Sequence, residues 1–146
     1  MITPVKAIPL NSEADTLALG AKLATVLRAG DTVRLSGDLG AGKTTLARGL
    51  IQSRLGPVDV PSPTYTLVQT YEWGESELWH CDLYRLDAPD DAYELGLIDA
   101  FGEEIVLLEW ADRIGPLCPE DALSVDLSFD GEGRVATLKG WEDRNV

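Results

Sequence analysis

Eight consecutive residues, Gly37-Asp38-Leu39-Gly40-Ala41-Gly42-Lys43-Thr44, fit the pattern G-x-x-x-x-G-K-[ST]. They follow Thr32-Val33-Arg34-Leu35-Ser36, which reads as a strand, and they open a helix expected over residues 43–54 that stops at Gly56-Pro57. A strand running through a glycine loop into a helix is the context a P-loop requires. The glycines let the backbone curl so that successive N–H groups point inward at phosphate oxygens. The helix N-terminus adds its partial positive charge. Lys43 then reaches the β- and γ-phosphates, and the Thr44 hydroxyl is a ligand for Mg²⁺. A plain strand–turn–helix has no reason to place Lys-Thr at the helix start.

The rest of the chain reads as one α/β layer structure around that unit. Residues 2–10 form a short strand. Ser12 is an N-cap with Asp15 three residues on, and an apolar helical face runs to Leu27 with Gly30 as its stop. Residues 66–73 and 77–84 are rich in β-branched and aromatic types and flank Gly74, a hairpin pattern. Residues 89–96 form a short helix with acidic residues in its first turn. Ile105-Val106-Leu107-Leu108 is an uninterrupted apolar run, as in a strand covered on both faces. Strands over 123–129 and 134–138 follow, joined by Asp130-Gly131-Glu132-Gly133, which is turn chemistry. The order β-α-β-α-β-β-α-β-β-β makes residues 1–146 one domain: a mixed sheet with parallel core strands and antiparallel additions, flanked by helices.

Charge limits the partners. Among 146 residues, 12 Lys and Arg stand against 25 Asp and Glu, a net charge of −13. Such a surface repels phosphate backbones and anionic bilayers, which excludes nucleic-acid binding through a basic face and disfavours membrane association. Two cysteines without a CxxC pattern make neither a disulfide framework nor a thiolate metal site, and one histidine is too few for a His-rich one. No apolar run reaches a membrane span, and the start lacks a signal peptide. A reduced, cytoplasmic protein is the expectation.

A P-loop enzyme also needs acidic residues near its metal. Glu109 ends the buried strand 105–108 and is the first candidate, holding Mg²⁺ directly or through water, or polarising the attacking water. His80-Cys81-Asp82 offers a second site, since His80 and Asp82 share one face of a strand. Asp82 is suited to positioning water or metal-bound water. Ser62-Pro63-Thr64 stands where P-loop proteins often carry a phosphate-sensing loop. The guanine-reading Asn/Thr-Lys-x-Asp pattern does not occur, which disfavours GTP, and Leu-Ser-Gly-Gly-Gln is absent, which excludes an ABC-type ATPase.

Taken in order, the segments form a series. Gly37 to Leu46 is followed by Ser62-Pro63-Thr64-Tyr65-Thr66-Leu67-Val68, His80-x-Asp82-Leu83-Tyr84-Arg85-Leu86, Glu94-Leu95-Gly96-Leu97 and Leu108-Glu109-Trp110. Over nearly the whole chain this series resembles the bacterial TsaE (YjeE) family, the ATPase subunit for threonylcarbamoyladenosine modification of tRNA. The P-loop alone is not diagnostic; the His-x-Asp-Leu-Tyr-Arg and Glu-Trp segments are. Gln69 stands where an acidic residue is common, and Cys81 where a larger one is common. The resemblance implies a P-loop fold, ATP and Mg²⁺ as ligands, slow ATP hydrolysis, and a complex with TsaB and with TsaD, which carries the transfer chemistry. Through it, Thr44 and Glu109 are metal positions, and Gly40, Ala41, Gly42, Lys43, Thr44 and Thr45 are the phosphate cradle. Lys43, Asp82 and Glu109 are the catalytic positions. Trp110 is expected near the nucleotide or the partner surface, and the regions of Ser12/Glu13 and Gly133/Arg134 flank the adenine. A protein of this charge meets tRNA only through its partners, docking its acidic surface on basic patches there. Two other functions compete: a small-molecule phosphotransferase, for which Arg85 and Arg113 are the available clamps, and a nucleotide-gated binding module without turnover.

Overall fold

The structure, a computed structural model, describes residues 5–38, 42–63 and 66–144. Its elements are β1 (Val5–Leu10), α1 (Glu13–Ala24), β2 (Thr32–Gly37), α2 (Lys43–Leu55), β3 (Val68–Trp73), β4 (Ser76–Asp82), α3 (Asp91–Glu94), α4 (Leu97–Ala100), β5 (Ile105–Glu109), β6 (Leu123–Asp130) and β7 (Gly133–Lys139). The strands form one mixed sheet in the order β1-β7-β6-β2-β5-β4-β3. β2, β5 and β4 are parallel neighbours, whereas β1–β7, β6–β7 and β3–β4 are antiparallel. The chain clusters into two compact units.

The first unit comprises Met1–Leu27, Ser36–Pro61 and Leu123–Val146. It holds both long helices, the meander β6-β7-β1 and the end of β2. Ser12 caps α1 by accepting from the Asp15 amide at 3.2 Å, and Asp15 Oδ2 accepts from the Asn11 amide at 2.8 Å. The helices touch backbone to backbone at two glycines. A Cβ on Gly20 would lie 2.3 Å from the Leu46 carbonyl oxygen, and one on Gly49 would lie 2.4 Å from that of Leu17. Leu19, Leu23, Leu46, Leu50 and Ile51 are buried in this unit. Gly37 closes β2 at φ 138°, where a Cβ would meet the Leu127 carbonyl oxygen at 2.2 Å. The first glycine of the loop pattern is therefore demanded by the sheet before any ligand is considered.

The second unit comprises Arg28–Leu35 and Ser62–Ala122. Every residue of β5 is buried, as its unbroken apolar run predicts. Cys81, Leu83, Val106, Leu108, Leu97 and Ile114 belong to one hydrophobic cluster there. The hairpin β3–β4 pairs Trp73 with Ser76 across Gly74, whose φ is 66°.

Two expectations are corrected in detail. α1 ends at Ala24 rather than near Gly30, because the Thr25 hydroxyl and amide both bond back to the Lys22 carbonyl; competing bonds of this kind end helices. The segment after Pro89 carries two one-turn helices, α3 and α4, where one was expected. Gly96, at φ 81°, terminates the first and opens the second. No helix among the described residues is long and apolar enough to cross a membrane.

Candidate functional site

The first unit supplies a helix start built for an anion. α2 begins directly after Gly42, which is left-handed at φ 111°; among the described residues a Cβ there would make only ordinary contact, with the Thr16 methyl at 3.6 Å. The contrast with α1 is informative. α1 has an oxygen cap and two acidic residues, Glu13 and Asp15, in its first turn, as the macrodipole prefers. α2 has no side-chain cap and no acidic residue in its first turn; it carries Lys43, Thr44 and Thr45 instead. A cation at the positive end of a helix is unfavourable alone and favourable with an anion between the two. Lys43 is 7% exposed, while Thr44 and Thr45 are half-buried. Gly40 and Ala41 of the expected cradle lie outside the described residues, as does Thr64 of the 62–64 loop.

A cleft of about 320 Å³ opens beside this helix start, a size in the range of small-molecule sites. Gly42 and Thr45 of α2, Asn11, Ser12 and Glu13 at the start of α1, and Glu132, Gly133 and Arg134 at the β6–β7 turn line it. The structure thus brings Glu13 and Arg134, expected at the adenine end, to one cleft with two residues of the cradle. Arg48 was not foreseen. Its Nη2 lies 3.4 Å from both Glu13 Oε1 and Thr45 Oγ1, tying the cleft wall to the helix start. The available signal was helical spacing, since Arg48 is three residues after Thr45. Arg134 rests its guanidinium 4.2 Å from the Phe129 ring centroid and donates to the carbonyls of Glu132 and Gly133.

The second unit supplies the carboxylates. Asp82 ends β4, Glu109 ends β5, and the two are partners in the parallel register. Both are buried, at 5% and 3% exposure. Leu35 of β2 pairs with Glu109 on its other side. Asp82 Oδ1 accepts from the Tyr84 amide at 3.0 Å, and the Asp82 amide donates to the Leu67 carbonyl at 2.9 Å. Leu67, at φ 67°, in turn donates to the Pro63 carbonyl at 2.7 Å. Asp82 is thereby tethered to the end of the 62–64 loop, the loop expected to sense phosphate.

His80 is the residue whose partner the sequence did not reveal. Its Nε2 lies 2.8 Å from Glu109 Oε2, with both side chains buried. Register explains the meeting: His80 faces Leu107, so Glu109 is its diagonal neighbour on the same face of the sheet. Burial first, and the Glu109 carboxylate second, push the Cys81 thiol far above its ordinary range, so it stays a neutral core group. Beyond Glu109 the backbone turns at Trp110, with φ 61°. The Trp110 and Tyr84 rings are 4.9 Å apart, and Arg113 sits 5.0 Å from the Tyr84 ring centroid.

Each unit holds hard oxygen donors of the kind that Mg²⁺ takes: the Thr44 hydroxyl in the first, and the Asp82 and Glu109 carboxylates in the second. Among the described residues no three His, Cys, Asp or Glu side chains form a metal cage. Mg²⁺ ordinarily does without one, using one or two carboxylates together with substrate phosphates.

A strand ending in a glycine pattern, a helix opened by Lys-Thr and a parallel core strand ending in a carboxylate define a protein of the P-loop class. Residues 10–136 match the family model "Threonylcarbamoyl adenosine biosynthesis protein TsaE". A "tRNA threonylcarbamoyladenosine biosynthesis protein TsaE" of Rickettsia bellii is 38% identical over 131 residues, covering 88% of this chain and 91% of that protein. Its namesake in Haemophilus influenzae is 38% identical over 132 residues, covering 86% and 84%. The crystal structure of YdiB from Bacillus subtilis superposes with a TM-score of 0.78 at 26% identity, covering 99% of this chain and 90% of that one. The chain belongs to the TsaE family.

Proposed function

We propose that this chain binds ATP with Mg²⁺, hydrolyses it slowly, and by doing so supports threonylcarbamoyl transfer to a tRNA adenosine by a TsaD–TsaB complex in the cytoplasm. The observation that carries the reading is the start of α2: a left-handed glycine, no acid in the first turn, and Lys43-Thr44-Thr45 beside a ligand-sized cleft. Lys43 offsets the charge of the β- and γ-phosphates, with the Gly40–Thr45 backbone as cradle. Glu13 and Arg134 flank the adenine. Thr44 and Glu109 are the proposed metal positions; Leu35, the register partner of Glu109, stands two residues before the glycine pattern begins. Mg²⁺ held there would draw charge from the phosphate oxygens. Asp82 orients the attacking water, its carboxylate fixed by the Tyr84 amide. The family name supports a role in threonylcarbamoyladenosine formation. The net charge of −13 favours docking on a basic protein partner over direct contact with tRNA.

Equilibrium titration with a fluorescent ATP analogue tests the binding step. Saturable binding in Mg²⁺ is expected, weakened at least tenfold by Lys43→Ala. Binding of equal strength in that variant would remove the phosphate-cradle assignment.

A further inference from the structure

The chain has one histidine, and it lies within the sheet interior with no exposed surface. A buried imidazole needs partners for both ring nitrogens. His80 has one: Nε2 faces Glu109 Oε2 at 2.8 Å, whereas Nδ1 is buried with no hydrogen-bond partner among the described residues. An ionised carboxylate only accepts, so the nitrogen that faces it carries the proton.

We propose that His80 is a positioning residue: its Nε2–H fixes one oxygen of Glu109 and leaves the other directed to the metal. This rests on the reading of Glu109 as a metal position. The reason is conformational. A glutamate at the end of a strand has three side-chain torsions, and two equivalent oxygens compete for any cation. A rigid buried donor holding Oε2 removes that competition and restricts the torsions before the ligand arrives. Ligating carboxylates are commonly oriented by such outer hydrogen bonds. The ring is well suited to the task. Its position is set by β4, its register with β5 puts it diagonal to Glu109, and the ring itself is closed off from solvent.

Because His80 is the sole histidine, the imidazole ¹⁵N spectrum of the untagged protein reports on it alone. The expected spectrum has a protonated Nε2. An unprotonated Nε2 overturns the proposal. The second measurement is the gain in nucleotide affinity on adding Mg²⁺, taken from paired titrations with Mg²⁺ and with a chelator. His80→Leu should lose about tenfold of that gain, with the affinity in chelator unchanged. His80→Gln, whose amide nitrogen takes the place of Nε2, should restore most of it. A packing role alone would lower the melting temperature without splitting the two affinities. A folded His80→Leu that keeps the full Mg²⁺ gain overturns the proposal, as does a folded His80→Gln that loses it. Should His80→Leu not fold, the spectrum and His80→Gln decide. Glu109→Gln separates the two levels of the argument. If it also keeps the full gain, the metal reading of Glu109 fails; if it loses the gain while His80→Leu keeps it, only the role of His80 falls.

Discussion

Asp82 and Glu109 are register partners on adjacent strands, yet their surroundings differ. Glu109 is gripped by an imidazole, and Asp82 by a backbone amide and a tether to the 62–64 loop. Glu109→Ala should therefore damage Mg²⁺-dependent nucleotide affinity as well as turnover. Asp82→Ala should spare affinity and lower hydrolysis, because water orientation acts in the transition state. Nucleotide titration beside phosphate release distinguishes them, and the mirror-image result would exchange the two roles. The two cysteines give a pH prediction. Burial, the larger cause in each, raises both thiols, with the Glu109 carboxylate adding to the effect at Cys81. The unfolded chain then ionises first as pH rises, so stability is flat below the ordinary thiol value of about 8.5 and falls above it, by at most about 1.4 kcal/mol per pH unit per thiol. Urea midpoints at neutral and alkaline pH should show a drop that shrinks in Cys81→Ala; an undiminished drop assigns it elsewhere. At this scale local spacing is enough to nominate the glycine pattern, Lys43, Thr44, Asp82 and Glu109 as candidates. The His80–Glu109 contact is not, because its members lie 29 residues apart and meet only through strand register.

At the scale of elements, the α1–α2 pair depends on two glycines that no ligand motif explains. In an isolated helix Gly→Ala is stabilising by about 0.5–1 kcal/mol. At Gly20 the added Cβ would sit 2.3 Å from the Leu46 carbonyl oxygen and 2.7 Å from the Leu50 nitrogen, both backbone atoms of α2. Overpacking of this kind costs about 1–3 kcal/mol, so Gly20→Ala should lower the urea midpoint. It should also weaken nucleotide binding, since α2 carries Lys43 and Thr44. An unchanged or raised midpoint would show that the helices can separate freely. β5 and the β3–β4 hairpin are legible because an unbroken apolar run and a glycine between β-rich segments are strong local signals. α4, and the 3-10 turns Ala111–Arg113 and Gly115–Leu117, are not. Segments of three or four residues are too short to show a period.

At the scale of the whole molecule, charge and architecture point the same way. Twenty-five acidic residues against twelve basic ones disfavour an electrostatic grip on tRNA, which accords with the proposed docking on protein partners. The mixed sheet with its parallel core agrees with the sequence pattern, and the YdiB structure superposes over 99% of this chain with a TM-score of 0.78. In the proposed function, the helix start at Lys43 works as an ATP site whose turnover serves a TsaD–TsaB complex. Phosphate release from Mg·ATP, measured for the chain alone and then with TsaB and TsaD added, tests it most directly. Slow release that rises with the partners and falls at least tenfold in Lys43→Ala is the predicted result. Release that ignores both the partners and the lysine would contradict it.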